Sequence, residues 1–204
     1  MKQEGLPIII SAPSGTGKTT TCKQLKQRLP SLKIATSHTT RKIREGEWDG
    51  VDYHFITKEE FKAKKNNNAF LEWAQVHTEF YGTSFETIEK HQKNGFDILL
   101  ELDVQGVDSL RKMDFQGVYI LILPPSIEEM AKRLKNRGTE TEESIERRLK
   151  TGKEEIKNYK KNDYLITNFE VEDTVESILA IVRAEKSRVY RYRPTSDDIK
   201  ELLD

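Results

Sequence analysis

The chain has 204 residues, 35% hydrophobic and 33% charged, which is polar for a globular protein but enough for the core of one domain. Its 34 basic residues balance 34 acidic ones, so no global field draws in nucleic acid or anionic lipid and any anion site must be built locally. The single cysteine, Cys22, excludes an internal disulfide framework and fits a reducing cytoplasm.

In chain order, the opening MKQEGLP lacks the apolar run of a signal peptide. PIIIS (7–11) then reads as a short buried strand. KIATS (33–37) is a weaker strand, DILLELD (97–103) and VYILILPP (118–125) are strong ones, and DYLIT (163–167) is weak again. Continuous apolar runs of this kind suit parallel strands covered on both faces, and the longest are far too short to cross a bilayer. Between the strands lie helix signals. Thr57 to Glu60 and Ser126 to Glu129 are capping boxes, and Thr83 with Glu86 offers a third. Gly95 and Gly138 stand where helices should stop. Strand–helix alternation predicts a three-layer α/β fold around a parallel sheet.

Two stretches interrupt the alternation. Residues 38–82 are loop-rich, with REGEWDGVDYHF as a turn between short strands, and read as an inserted substrate-binding segment. Residues 126–160 are charged and helical, and read as a lid. KKNNN (64–68) is a polar helix end or loop. The tail RVYRYRPTSDDIKELLD is left open between packing on the core and joining a contact in a homo-oligomer.

The chemistry starts at SAPSGTGKTT, residues 11–20. A buried strand, a Gly-rich loop and a helix in this order make a phosphate-binding loop rather than a glycine turn with a surface lysine. Ser14, Gly15, Thr16, Gly17, Lys18, Thr19 and Thr20 are the expected ATP-binding stretch. Backbone N–H groups and the helix N-terminus cradle phosphate, Lys18 reaches the β- and γ-phosphates, and the Thr19 hydroxyl ligates Mg2+. The pattern departs at Ala12, where glycine is usual; alanine resists positive φ, so the loop works if Ala12 stays at negative φ. On DILLELD, Leu99, Glu101 and Asp103 share one face and Ile98, Leu100 and Leu102 the other. Two carboxylates at the end of a buried strand serve Mg2+, serve a second substrate, or simply emerge into solvent. Arg41 and Arg44 with Tyr53 and Tyr81 offer a cradle for a phosphate dianion, with a solvated basic loop as the alternative. Trp48 and Trp73 read as packing or loop-anchoring residues. Cys22 reads as a small buried side chain. The four histidines show no ligand-like clustering.

SAPSGTGKTT, SHTTRKIREGE, DGVDYHF, FLEWAQVHTEFYGTS, LLELDVQGV and the arginine-rich stretch from LPPS to RRL occur together and in order. Over roughly residues 6–185 the chain resembles the guanylate kinase family of P-loop nucleoside monophosphate kinases. The resemblance implies a five-stranded parallel core (about 1–36, 95–125 and 161–190), a GMP-binding segment (37–94), a helical lid (126–160) and a tail (187–204). It implies transfer of the γ-phosphoryl group of ATP to GMP, and dGMP as well, with Mg2+, in the cytoplasm. Carried residue by residue, it gives Arg41, Arg44, Tyr53 and Tyr81 to the GMP phosphate. Ser37, Glu72, Thr83 and Asp103 go to the guanine end. Arg133, Arg137 and Arg148 become lid or phosphate-stabilising arginines. Asn168 lies near the adenine, and Glu101 beside the metal and its waters. A carboxylate at position 72 accepts from guanine N1–H and N2–H2 together, whereas adenine would leave it unpaired. Two rivals stay open: a P-loop kinase for another monophosphate, and a binding module that uses a former nucleotide site.

Overall fold

The computed structural model describes residues 4–76, 78–136 and 141–191. Gly138, Arg137 and His77 lie outside the described residues, as does most of the tail. Strand β1 (Pro7–Ser11) is buried along its whole length. It pairs in parallel with β7 (Asp97–Leu102) on one side and β8 (Val118–Leu123) on the other. β2 (Leu32–Ile34) and β9 (Tyr164–Thr167) complete a parallel five-stranded sheet in the order β2-β7-β1-β8-β9. The weak KIATS strand is thus confined to residues 32–34, and the following residues leave the sheet for the inserted segment.

Because both sheet faces are covered, side-chain alternation on β7 divides two cores. Leu99 packs with Ile8 and Ile10 against α1 (Lys18–Arg28) and α7 (Val171–Lys186), through Cys22, Leu25, Ile178 and Val182. Ile98, Leu100 and Leu102 pack with Ile9 and Tyr119 against α3 (Phe85–Lys93) and α4 (Val104–Lys112). Burial lifts the Tyr119 phenol to about 12, and its hydroxyl donates to the Phe115 carbonyl at 2.8 Å. Asp97, 1% exposed, is ionically paired with Lys186 at 2.8 Å and accepts from Leu6 N, so its burial is compensated.

The inserted segment builds a second, four-stranded sheet in the order β4-β3-β6-β5. β3 (His38–Thr39) runs parallel to β4 (His54–Phe55) and antiparallel to β6 (Glu79–Ser84), which pairs with β5 (Phe70–Val76). Helix α2 (Lys58–Asn66) packs Phe61 onto Phe70 and Phe80. The Thr57–Glu60 capping box is present in both directions. At Ser126 the hydroxyl caps Glu129 N, opening α5 (Ile127–Lys135). The third box is displaced: Ser84, not Thr83, caps α3 through Thr87 N, because Thr83 is occupied in the strand. Gly95 follows the α3 cap at φ 79, a left-handed stop. Helix α6 (Glu142–Lys157) packs beside α5. No helix among the described residues is long and apolar enough to cross a membrane.

Candidate active site

Parallel register brings the ends of β1 and β7 together, with Ser11 opposite Leu102. The phosphate loop therefore leaves the sheet beside Asp103. Gly15 (φ 87) and Gly17 (φ 98) take the left-handed angles. Ala12 is not among the described non-glycine residues at positive φ, which are Asn68 and Asp114. Gly17 caps α1 without a side chain, so the first N–H groups of the helix are left for an anion. Ser14 to Thr19 line a hollow of about 260 Å³ together with Asp103 and Glu155. Lys18 Nζ donates to the Leu102 carbonyl at 2.8 Å, which keeps the ammonium at the strand end. Thr20 sits in the first turn of α1, exposed and off the hollow's wall.

The loop is braced from behind. Asn168 Nδ2 donates to the Thr16 carbonyl at 2.6 Å, and Arg133 Nη1 donates to the same oxygen at 3.1 Å. Asn168 Oδ1 accepts from the Thr174 hydroxyl at 2.8 Å, and Arg133 Nη2 donates to the Asn168 carbonyl at 3.3 Å. Asn168 is fully buried, and each end of its carboxamide makes a protein hydrogen bond, so it braces the loop. Arg148 Nη1 reaches Ser14 Oγ at 3.0 Å, joining α6 to the loop. Thr174 went unnoticed in the sequence; a buried threonine in a helix carries no local signal of its partner.

Between the two sheets opens a cleft of about 1020 Å³ whose wall includes Ser37, Tyr53, Glu72, Tyr81, Thr83, Glu101 and Asp103. Glu72 lies across from Thr83 in the β5–β6 pair, beside an irregularity after Phe70. Thr83 gives both its backbone N–H (3.1 Å) and its hydroxyl (2.7 Å) to Glu72 Oε1. Its oxygen also meets Ser37 Oγ at 2.9 Å. Burial raises the Glu72 carboxyl above the usual range, the Thr83 bonds pull it back, and Asp103 adds like-charge repulsion. Gly82 lets the strands close here, since a Cβ would stand 3.0 Å from both the Glu72 carbonyl and Trp73 Cβ.

The Arg41 guanidinium lies over the rings of Tyr53 and Phe55, with Cζ 5.5 and 5.6 Å from their centroids. Its Nη1 and Nη2 pair with Glu47 at 3.0 and 2.7 Å. Tyr53 and Tyr81 meet edge to face at 5.9 Å. Neither Arg41 nor Arg44 belongs to the cleft wall; Arg44 is exposed, and its backbone N–H is held by Glu47 at 2.8 Å. The expected packing role of Trp48 is corrected, for it is 72% exposed. Trp73 is also exposed, with Lys65 Nζ 3.7 Å over its ring.

At the floor, Asp103 lines both the hollow and the cleft, so the two spaces adjoin. One Asp103 oxygen caps α4 through Gly106 N at 2.8 Å. Glu101 is reached by solvent, yet loss of hydration raises its carboxyl, with Lys18 and the Cys22 thiol opposing. The Cys22 thiol is itself pushed up by burial and by Glu101, so it is a buried, inert group. Desolvation, then Asp103, likewise raises Glu155. No group of three or more His, Cys, Asp or Glu among the described residues forms a metal-holding cluster. The donors at hand suit a cation that keeps most of its ligands as water and phosphate: the Thr19 hydroxyl and carboxylates, all hard oxygens, fit Mg2+ in that mode.

A family model for guanylate kinase matches residues 4–185. The chain is 45% identical over 201 residues to a guanylate kinase from Caldanaerobacter subterraneus subsp. tengcongensis, covering 98% of each chain. It is 43% identical to one from Geobacter metallireducens, covering 96% of each. Among solved structures it is similar to guanylate kinase from Anaplasma phagocytophilum, with a TM-score of 0.72, 32% identity, and coverage of 99% of this chain and 95% of that one.

Proposed function

The chain belongs to the guanylate kinase family, and from that premise we propose that its site passes the γ-phosphoryl group of ATP to GMP, giving ADP and GDP. The observation that carries this reading is the junction at Asp103. A hollow suited to phosphate adjoins there a cleft whose wall presents carboxylates, hydroxyls and the phenols of Tyr53 and Tyr81. In this reading residues 37–94 are the acceptor segment, 126–160 the lid, and the remainder up to 190 the core, with a tail beyond.

The donor phosphates lie on the N–H groups of Ser14 to Thr19, with Lys18 turned from the Leu102 carbonyl to the β- and γ-oxygens. The Thr19 hydroxyl would hold Mg2+, with Glu101 beside the site, and the ion when bound would supply charge neutralisation to the donor's phosphates. Guanine enters the cleft with N1–H and N2–H2 on the carboxylate of Glu72, while Ser37, turned from the Thr83 oxygen, donates to O6. dGMP, which differs from GMP only in lacking the ribose 2′-hydroxyl, is a second acceptor in this reading, as the family resemblance implies. The acceptor phosphate is largely a dianion and needs no strong base; the difficulty is bringing two anions into line. Arg41, Arg44, Tyr53 and Tyr81 offset the acceptor's charge. Arg133 and Arg148, with Arg137 from outside the described residues, serve the donor side. Closure of both flanking segments excludes water that would otherwise hydrolyse ATP. The lone buried cysteine accords with a cytoplasmic setting.

A coupled ADP-release assay with GMP, dGMP, AMP, CMP and UMP tests the reading. Turnover with GMP and dGMP is expected; silence with all five would favour a binding module, and a preference for AMP would move the base assignment. Arg41→Met is expected to abolish GMP phosphorylation while ATP still binds. Normal activity in that variant would refute the acceptor cradle.

A further inference from the structure

Resting on that acceptor reading, we propose that Glu47 is a positioning residue for the acceptor phosphate. It clamps one edge of Arg41 so that the other edge is presented to the incoming dianion. A guanidinium has five N–H donors arranged as two forked edges. In Arg41, one Nη1 hydrogen goes to Glu47 Oε2 (3.0 Å) and the other to the Lys42 carbonyl (2.7 Å). One Nη2 hydrogen goes to Glu47 Oε1 at 2.7 Å. The Nε–H and the outer Nη2–H form the second fork, which the bonds to Glu47 and Lys42 leave clear. The Tyr81 phenol interacts with the same guanidinium, and Tyr81 lines the cleft. A second bidentate partner is therefore accommodated without breaking the first.

Three observations favour a clamp over a competitor that must be expelled. The pair is sheltered, with side-chain exposures of 14% for Arg41 and 21% for Glu47, so salt screens it less than a surface pair. Expelling Glu47 would strand a part-buried carboxylate and break two charge-assisted bonds. Finally, Glu47 Oε2 also accepts from the Arg44 backbone N–H at 2.8 Å, so one carboxylate sets the conformation around both arginines. Arginine is a long, rotamer-rich side chain, and holding it beforehand removes ordering cost from the binding step.

The test is calorimetric binding of GMP and of guanosine, which keeps the base contacts but lacks the phosphate, to the wild type, Glu47→Gln and Glu47→Ala. Gln keeps the shape and removes the charge and one acceptor. Expected is a loss of about tenfold or more in GMP affinity for both variants. Guanosine affinity should be unchanged, the GMP KM raised, the ATP KM constant, and partial rescue seen in Glu47→Asp. GMP affinity that is unchanged or tighter in Glu47→Gln overturns the clamp, the tighter case marking Glu47 as a competitor. An equal loss for guanosine overturns it too, as general damage to the segment. A wild type that fails to bind GMP but binds another monophosphate would instead sink the underlying acceptor reading.

Discussion

Thr83 directs two hydrogen bonds, one from its backbone and one from its hydroxyl, onto the same oxygen of Glu72. That restrains the carboxylate's rotation and leaves Oε2 as the oxygen that, in the proposed reading, accepts guanine's adjacent donors. In Glu72→Gln the same two bonds would select the amide oxygen, so the NH2 would point at N1–H and N2–H2, donor against donor. We expect kcat/KM for GMP to fall on the order of 10²-fold or more while the ATP KM stays within twofold, and the ratio of AMP to GMP turnover to rise. Steady-state kinetics with both acceptors measures this, and an unchanged GMP preference would remove Glu72 from base selection.

His38 predicts how the inserted sheet responds to acid. Its ring is 7% exposed, and Nδ1 is buried without a partner. Burial, then the positive neighbours His54 and Lys64, lower its pKa from 6.5 to about 4, with Glu86 opposing. Between those two pH values the unfolded chain binds the proton and the folded chain does not. Stability is therefore fully present above pH 6.5 and is lost as pH falls toward 4, by up to about 3 kcal/mol. Urea denaturation at pH 7.5 and 5 should show His38→Asn losing less stability than the wild type over that interval. Equal losses in the two proteins would mean that His38 titrates normally.

Legibility followed the range of the interactions. The phosphate loop and its strand and helix were readable because the glycine angles, the buried strand and the helix start are local. The three strong strands and the two faces of DILLELD were readable because strand alternation has a fixed period. Of the cleft wall, Ser37 and Glu72 were legible only through family resemblance, since they come from separate segments of a small sheet whose pairing no periodicity announces. The bonds of Asn168 to Thr16 and Thr174 were not legible, because those partners are distant or uninformative in sequence. Ser84 displaced Thr83 as a cap for a similar reason: Thr83 was already committed to Glu72 across the sheet.

The Asn168 brace predicts a division between donor and acceptor kinetics. Asn168→Ala removes a buried 2.6 Å bond to the Thr16 carbonyl and leaves the Thr174 hydroxyl without its amide partner. A cost of about 1–3 kcal/mol in stability is expected. Because Thr16 is in the phosphate loop, the ATP KM should rise about tenfold while the GMP KM holds. Denaturation midpoints alongside kinetics separate the two effects; a destabilised variant with a normal ATP KM would reduce the brace to a packing role.

The loop's departure from the usual glycine pattern ends in a paired prediction. Ala12, 9% exposed, does not use a left-handed angle, so a glycine there would restore nothing; it would only add freedom to the unfolded chain. Ala12→Gly should lower stability by about 0.5–1 kcal/mol and leave the ATP KM within twofold. Gly15 is the opposite case. It sits at φ 87, and a Cβ there would stand 3.0 Å from Leu134 Cγ and 3.2 Å from the Met130 carbonyl oxygen. Gly15→Ala therefore combines left-handed strain of about 1–2 kcal/mol with a push on α5, the helix that also supplies Arg133 to the loop. We expect a lower melting temperature and an ATP KM raised at least tenfold. If Ala12→Gly instead tightened ATP binding, the alanine would be a compromise in the loop; if Gly15→Ala were silent, the left-handed angle at Gly15 would not be what shapes the phosphate cradle.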